Sequence, residues 1–158
     1  MRALLLTLAM MASPAWAQGY FGIEIGQSTL DSTDDTAVKG FAGYQFTPRF
    51  AIEAGYQDLG GITRNGRSLN ITAYDLSFVG AWALGNRFAL LGRVGAYHAE
   101  TSSSGTNVGP ILGLGLSYDL TRNATFRLEW QRYDKLGPET QPKLDIDVIS
   151  AAAIYRFN

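Results

Sequence analysis

From residue 18 onward the chain alternates. Large apolar side chains fall on every second position, and small or charged ones stand between them. Phe50, Ile52, Ala54 and Tyr56 share one face of a stretch whose other face carries Ala51, Glu53, Gly55 and Gln57. Phe126, Leu128 and Trp130 oppose Arg127, Glu129 and Gln131, and Leu112, Leu114, Leu116 and Tyr118 oppose Gly113, Gly115, Ser117 and Asp119. Ile149, Ala151, Ala153, Tyr155 and Phe157 continue the pattern to the C-terminus. A period of two belongs to an extended strand, because successive side chains of a strand point to opposite faces. No apolar run beyond residue 17 approaches the roughly 20 residues that a spanning helix needs. If this chain enters a bilayer it does so as strands, and those strands must close on themselves to leave no unpaired edge.

The alternation divides into eight stretches, at 19–30, 37–46, 50–59, 71–83, 88–99, 108–119, 124–133 and 145–157. Each is long enough for a tilted crossing, which takes about 9–11 residues. The connections alternate in length. Those at 47–49, 84–87 and 120–123 are tight, whereas 31–36, 60–70, 100–107 and 134–144 are longer and polar. Tight turns at one end and longer loops at the other are the asymmetry of a transmembrane barrel, with the turns in the periplasm and the loops outside. A soluble sandwich also alternates, but it would place its aromatic residues mid-strand. Here Phe21, Phe46, Phe50, Trp82, Phe88, Tyr118, Phe126 and Phe157 stand on the apolar face at the turn end, reinforced by Tyr44 and Tyr155. A sparser row of Tyr56, Tyr74 and Trp130 stands nearer the loop end. Two such girdles are what the interfaces of a bilayer select. The fold expected is an all-β, eight-stranded antiparallel up-and-down transmembrane barrel.

The first 17 residues read differently. Arg2 precedes an apolar run from Ala3 to Ala12 broken only by Thr7, and Ala15-Trp16-Ala17 is a small-x-small cleavage site. This is a secretory signal peptide, followed by a barrel domain over 18–158. Its removal takes Arg2 and leaves 12 basic against 14 acidic residues. With no basic stripe, a nucleic-acid partner is not expected. The absence of cysteine excludes thiolate chemistry and cysteine–zinc sites. Asp34-Asp35 offers two adjacent carboxylates, short of the six or more oxygens that calcium takes. Neither a metal nor a cofactor is expected.

Several segments carry a resemblance. Gly40-Phe41-Ala42-Gly43-Tyr44-Gln45-Phe46 followed by Ala51-Ile52-Glu53-Ala54-Gly55-Tyr56 resembles the second and third strands of the OmpA-like transmembrane domain. Leu116-Ser117-Tyr118-Asp119-Leu120-Thr121, Arg127-Leu128-Glu129-Trp130-Gln131 and Ala153-Ile154-Tyr155-Arg156-Phe157 extend the likeness over the whole mature chain. The resemblance implies an eight-stranded outer-membrane barrel with lipid and lipopolysaccharide around it, inserted by the outer-membrane assembly machinery. That machinery reads a C-terminal strand ending in an aromatic, here Phe157, although Asn158 follows. The resemblance also implies a lumenal charge network, with Glu53, Arg93 and Glu129 at matching positions. Val79 stands where the best-known members carry an inward lysine. Many members continue into a peptidoglycan-binding domain. This chain stops at its last strand, so no cell-wall anchor is expected from it.

By parity the inward charges are Glu24, Lys39, Glu53, Asp75, Arg93, Arg127, Glu129 and Arg156. Glu24, Glu53, Arg93, Arg127 and Glu129 are expected at similar depth. An eight-stranded barrel is just wide enough for side chains to fill, so these charges should pair across the lumen. Such a plug either fixes the strands or gates a narrow ion path. His98 with Glu100 two residues on is a minimal base, but parity turns it to the lipid side. No enzyme is expected. The reading is a monomeric structural protein of the bacterial outer membrane that contributes to envelope integrity and conducts ions weakly at most. The alternative is a surface-interaction barrel, adhesin-like or receptor-like, in which Arg64, Arg67 and Lys135 meet anionic sugars, offset by Glu139. Intact-mass measurement of protein recovered from the outer membrane should give a chain that begins at Gln18. A mass retaining Met1–Ala17 would remove the signal-peptide reading.

Overall fold

The structure, a computed structural model, describes residues 18–30, 33–64, 67–101, 105–136 and 144–157. The expected signal peptide lies outside them. The described chain is a closed barrel of eight antiparallel strands in sequence order: β1 (Gln18–Leu30), β2 (Thr33–Thr47), β3 (Phe50–Arg64), β4 (Arg67–Gly85), β5 (Phe88–Thr101), β6 (Gly105–Asp119), β7 (Ala124–Leu136) and β8 (Leu144–Arg156). Closure is made by β1 and β8, paired from Tyr20 opposite Arg156 to Thr29 opposite Asp147. Every strand therefore has a neighbour on both sides, and no edge faces lipid.

The alternation sorts the side chains. Ile23, Val94, Leu114 and Ile149 point outward and are 57–68% exposed, part of an apolar exterior of a kind that monomeric soluble proteins rarely carry. The inward residues are buried, polar and apolar alike.

Three tight turns close one end. In the first and third, a threonine hydroxyl caps the turn: Thr47 accepts from the amides of Arg49 and Phe50, and Thr121 from those of Asn123 and Ala124. In the second, Gly85, Asn86 and Arg87 all have positive φ, at 91°, 46° and 71°. Two central residues in that region match the twist of a two-residue hairpin. Arg87 adopts it without glycine's freedom, and its guanidinium donates to the Leu120 carbonyl of the next turn.

The loop end departs from expectation. The described residues of the polar connections expected at 31–36, 60–70, 100–107 and 134–144, namely 33–36, 60–64, 67–70, 100–101, 105–107, 134–136 and 144, are strand. β3 and β4 stay paired up to Arg64 opposite Arg67, and β5 and β6 up to Thr101 opposite Gly105. Polar side chains report contact with water. They do not stop a hydrogen-bonded ladder, which continues wherever two backbones remain in register.

Glycines separate the two faces of the wall. In β5, Gly92 faces outward, and an added Cβ there would meet nothing within 4 Å. Gly95 faces inward, where a Cβ would lie 2.4 Å from the Leu76 carbonyl oxygen and 2.5 Å from Ser77 Oγ. Gly95→Ala should lower the urea midpoint of the folded barrel, by about 1–3 kcal/mol for overpacking against backbone. Gly92→Ala should stay within roughly 0.5 kcal/mol of the parent. Equal midpoints for the two variants would refute the assignment of faces.

Candidate functional site

The lumen is filled in layers. Alternation brings Glu53 from β3, Arg93 from β5 and Arg127 and Glu129 from β7 to one level. Arg93 Nε donates to Glu129 Oε1, and its Nη2 donates to Glu53 Oε2 and, at 3.2 Å, to Glu129 Oε2. Arg127 Nη1 donates to Glu53 Oε1 at 2.8 Å and lies 3.5 Å from Glu129 Oε2. The Tyr20 hydroxyl also donates to Glu53, at 2.7 Å. Two guanidiniums and two carboxylates thus balance. This matters because an unpaired charge in so dry a place is very costly. The Arg127 guanidinium also stands over the Phe41 ring, 5.5 Å from its centroid.

The other inward charges stand apart from this cluster. Lys39 Nζ pairs with Asp75 Oδ2 at 2.7 Å, and Ser77 Oγ donates to Asp75 Oδ1 at 3.3 Å. Glu24, expected with the cluster, instead accepts from Gln131 Nε2 at 2.9 Å. Arg156 sits at the turn end, half-buried, and pairs with Asp119 at 3.1 Å. The Tyr133 hydroxyl bonds to both Gln57 and Gln131. Val79, in the place of the family's inward lysine, is buried and faces inward.

Two apolar layers enclose the ions. Ile111, Tyr97, Tyr133, Ile146 and Val148 pack with Ala37, Ala73 and Ala99 on the loop side. Tyr20, Phe41, Ala51, Ala152 and Ile154 pack on the turn side. Of these residues the sequence alternation assigned only Ala51 to the inner face, and much of the filling is bulky and apolar. Tyr20 and Phe41 share the parity of Glu24 and Lys39, the signal that would have found them. Their partners also leave a trace, because the glycines make room for the rings: a Cβ on Gly43 would fall 2.2 Å from Tyr20, and one on Gly22 would fall 2.4 Å from Phe41.

On the outer wall the aromatic residues form neighbouring sets. Phe21 meets Tyr155 and Phe157, Phe46 and Phe50 meet Phe78, and Phe88 meets Tyr118 at 4.7 Å. Trp82 is 65% exposed and carries the Arg49 guanidinium over its ring, while Phe126 is also exposed on this face. Nearer the loop end Tyr56 and Tyr74 are 5.0 Å apart. Trp130 lies beneath Arg132, which pairs bidentately with Asp147. His98 and Glu100 are outward and exposed, 3.8 Å apart, away from the lumen. Among the described residues no group of three or more His, Cys, Asp or Glu is arranged to hold a metal ion.

Arg93 touches both carboxylates of the cluster. Arg93→Ala should therefore leave two acids with one cation between them and cost about 3–5 kcal/mol, as for a broken buried pair. The check is the urea midpoint of the barrel in lipid vesicles. An unchanged midpoint would show that the carboxylates are solvated.

Comparison with known proteins agrees with this architecture. The chain is 24% identical over 160 residues to outer membrane protein A of Klebsiella aerogenes, covering 90% of this chain and 46% of that protein. It thus spans about half the length of this curated relative. Among solved structures it is similar to neisserial surface protein A, with TM-score 0.70, 14% identity and coverage of 89% of this chain and 97% of that one. It is also similar to the N-terminal barrel domain of OprF from Pseudomonas aeruginosa, with TM-score 0.59, 17% identity and coverage of 89% and 99%. The attachment invasion locus protein of Yersinia pestis matches with TM-score 0.58, 13% identity and coverage of 89% and 97%. At these identities the structures speak for the fold. The model of the outer membrane protein beta-barrel domain matches residues 2–157, so an apolar-walled, eight-stranded barrel located in the bacterial outer membrane is what this chain is, and it belongs to that family.

Proposed function

We propose that the protein is a structural component of the outer membrane. It contributes to envelope integrity, is not an enzyme, and has a lumen that carries at most a small, intermittent ion current. The observation that supports this reading is the four-membered ion cluster enclosed between two apolar layers. Ions crossing the barrel need a continuous water path, and paired, packed side chains occupy that space. Outer-membrane lipid and lipopolysaccharide are the natural partners of the apolar wall. The assembly machinery acts at insertion, and a single chain suffices to close the barrel.

A second reading, surface interaction, has one observation in its favour. The attachment invasion locus protein of Yersinia pestis has been solved with the heparin analogue sucrose octasulfate, and its fold resembles this one with TM-score 0.56. An equivalent role here would fall to the loop end, whose cationic residues include Arg64, Arg67 and Lys135.

Planar-bilayer recording of the refolded barrel separates the possibilities. The wild type should show rare, small openings or none. Arg93→Ala, if it folds, should open more often, because the removed guanidinium bridges the lumen. Large, stable channels in the wild type would overturn the plugged-lumen reading. Tight, saturable binding of a sulfated oligosaccharide would move the weight to the surface role.

A further inference from the structure

The lipid-facing wall carries a notch. Gly80 on β4 and Gly92 on β5 stand opposite one another, with Phe50 beside Gly80 on β3 and Leu114 beside Gly92 on β6. The pairs on either side along β4 and β5, Phe78 with Val94 and Trp82 with Leu90, are large and exposed. The backbone does not require glycine at the notch. Neither residue has a positive φ, and an added Cβ would meet nothing within 4 Å at Gly92 and, at its nearest, the Phe50 ring at 3.6 Å at Gly80. Glycine inside a strand weakens it and leaves room for another group to approach closely.

The notch opens both ways into a groove. A hollow of about 610 Å³ runs from it toward Trp130 and Arg132, and one of about 250 Å³ runs toward Trp82 and Arg49. The two share Phe50, Gly80, Gly92 and Leu114, so they are continuous. The ends of the groove differ in charge. Arg132 is held bidentately by Asp147, which neutralises that end. At the other end Arg49 is exposed and stands 5.5 Å over the Trp82 ring. Stacking engages the face of a guanidinium and leaves the donors at its edge for a further partner. The tight turns 47–49, 84–87 and 120–123 together hold three arginines and no acid, so this rim favours anions.

We propose that the groove holds one phospholipid of the periplasmic leaflet with an anionic headgroup, its phosphate on Arg49 and an acyl chain laid across Gly80 and Gly92. The chain suits the notch because Phe50, Phe78, Val94 and Leu114 give it apolar walls. The headgroup belongs at the turn end because the cation at the far end already has its partner. Lipopolysaccharide, a lipid of the outer leaflet, would meet the loop end instead. The proposal rests on the barrel's place in the membrane and on the turn end facing the periplasm. It is independent of whether the lumen conducts.

The test uses the mature chain refolded in detergent micelles. Its tryptophans, Trp82 and Trp130, both line the groove, so their fluorescence reports its occupancy. Phosphatidylglycerol with a brominated acyl chain should quench them saturably, with one lipid per barrel. Brominated phosphatidylcholine, whose phosphate is offset by its own choline, should need about fivefold more lipid, the factor that roughly 1 kcal/mol for one basic residue near an anionic headgroup supplies. Arg49→Gln should bring the two lipids to the same midpoint, and Arg49→Lys, which keeps the charge, should retain most of the preference. Gly92→Leu fills the notch and leaves Arg49 in place, so it should raise both midpoints by a similar factor. Heat-modifiable gel mobility reports folding for every variant. Equal midpoints for the two lipids on the parent, or folded Arg49→Gln and Gly92→Leu variants that bind as the parent does, would refute the proposal. Cross-linked dimers in which neither lipid reaches the tryptophans would assign the groove to a second copy of the chain and refute it as well.

Discussion

The structure depends on the pairing of β1 with β8. In hydrocarbon an exposed strand edge would leave a row of N–H and C=O groups without partners, each costing several kcal/mol. Closing the sheet satisfies them all at once, from Tyr20 opposite Arg156 to Thr29 opposite Asp147. Closure also sets the bore. With eight strands the interior holds side chains and little else, so every inward residue must find its place among the others. The ion cluster and the apolar layers around it follow from that single constraint.

Within the bore, the polar and apolar fillings support one another. Glu53, Arg93, Arg127 and Glu129 balance in charge, and Tyr20 supplies a further donor. The layer containing Phe41 and Ile154 on one side and the layer containing Ile111 and Tyr133 on the other keep water from weakening these pairs. The same low-dielectric setting makes the arrangement unforgiving, since removing one charge strands its partners. Among the described residues the packing thins at the turn end. There β4 and β5 contribute alanines where bulk would have filled the space, and Val79 replaces the long cation that family resemblance suggests. Paired side chains fill the middle of the barrel, and an open space lies below them at the turn end.

Much of this was legible in the amino-acid order, for a definite reason. Strand parity is a local property. Knowing that Glu53 points inward requires only Ile52 and Ala54 beside it, and the same holds for Lys39, Asp75, Arg93 and Arg127. The outward aromatics Phe21, Phe50, Trp82, Phe88 and Phe157 were readable because a bilayer interface selects them at strand ends. The extent of the strands toward the loop end was not readable from polarity. The ladder at 61–64 is held by backbone pairing, which side-chain polarity does not report. Bulky inward residues such as Tyr97 and Ile146 were equally obscure, because in a lipid-walled barrel an apolar side chain fits either face.

The sequence by itself determined the number of strands, their antiparallel order, which face of each meets lipid, and which charges enter the lumen. It did so because alternation is read between neighbours and a closed barrel is the one strand architecture a bilayer accepts. Only the tertiary structure decided which charge meets which. Arg93 reaches Glu129 across 36 residues and Glu53 across 40, Arg127 reaches Glu53 across 74, and Glu24 turns to Gln131 across 107 rather than to an arginine. Those partnerships depend on the stagger of eight strands around a closed wall. That stagger is a sum over every pairing in the sheet, and no single stretch of the chain contains it.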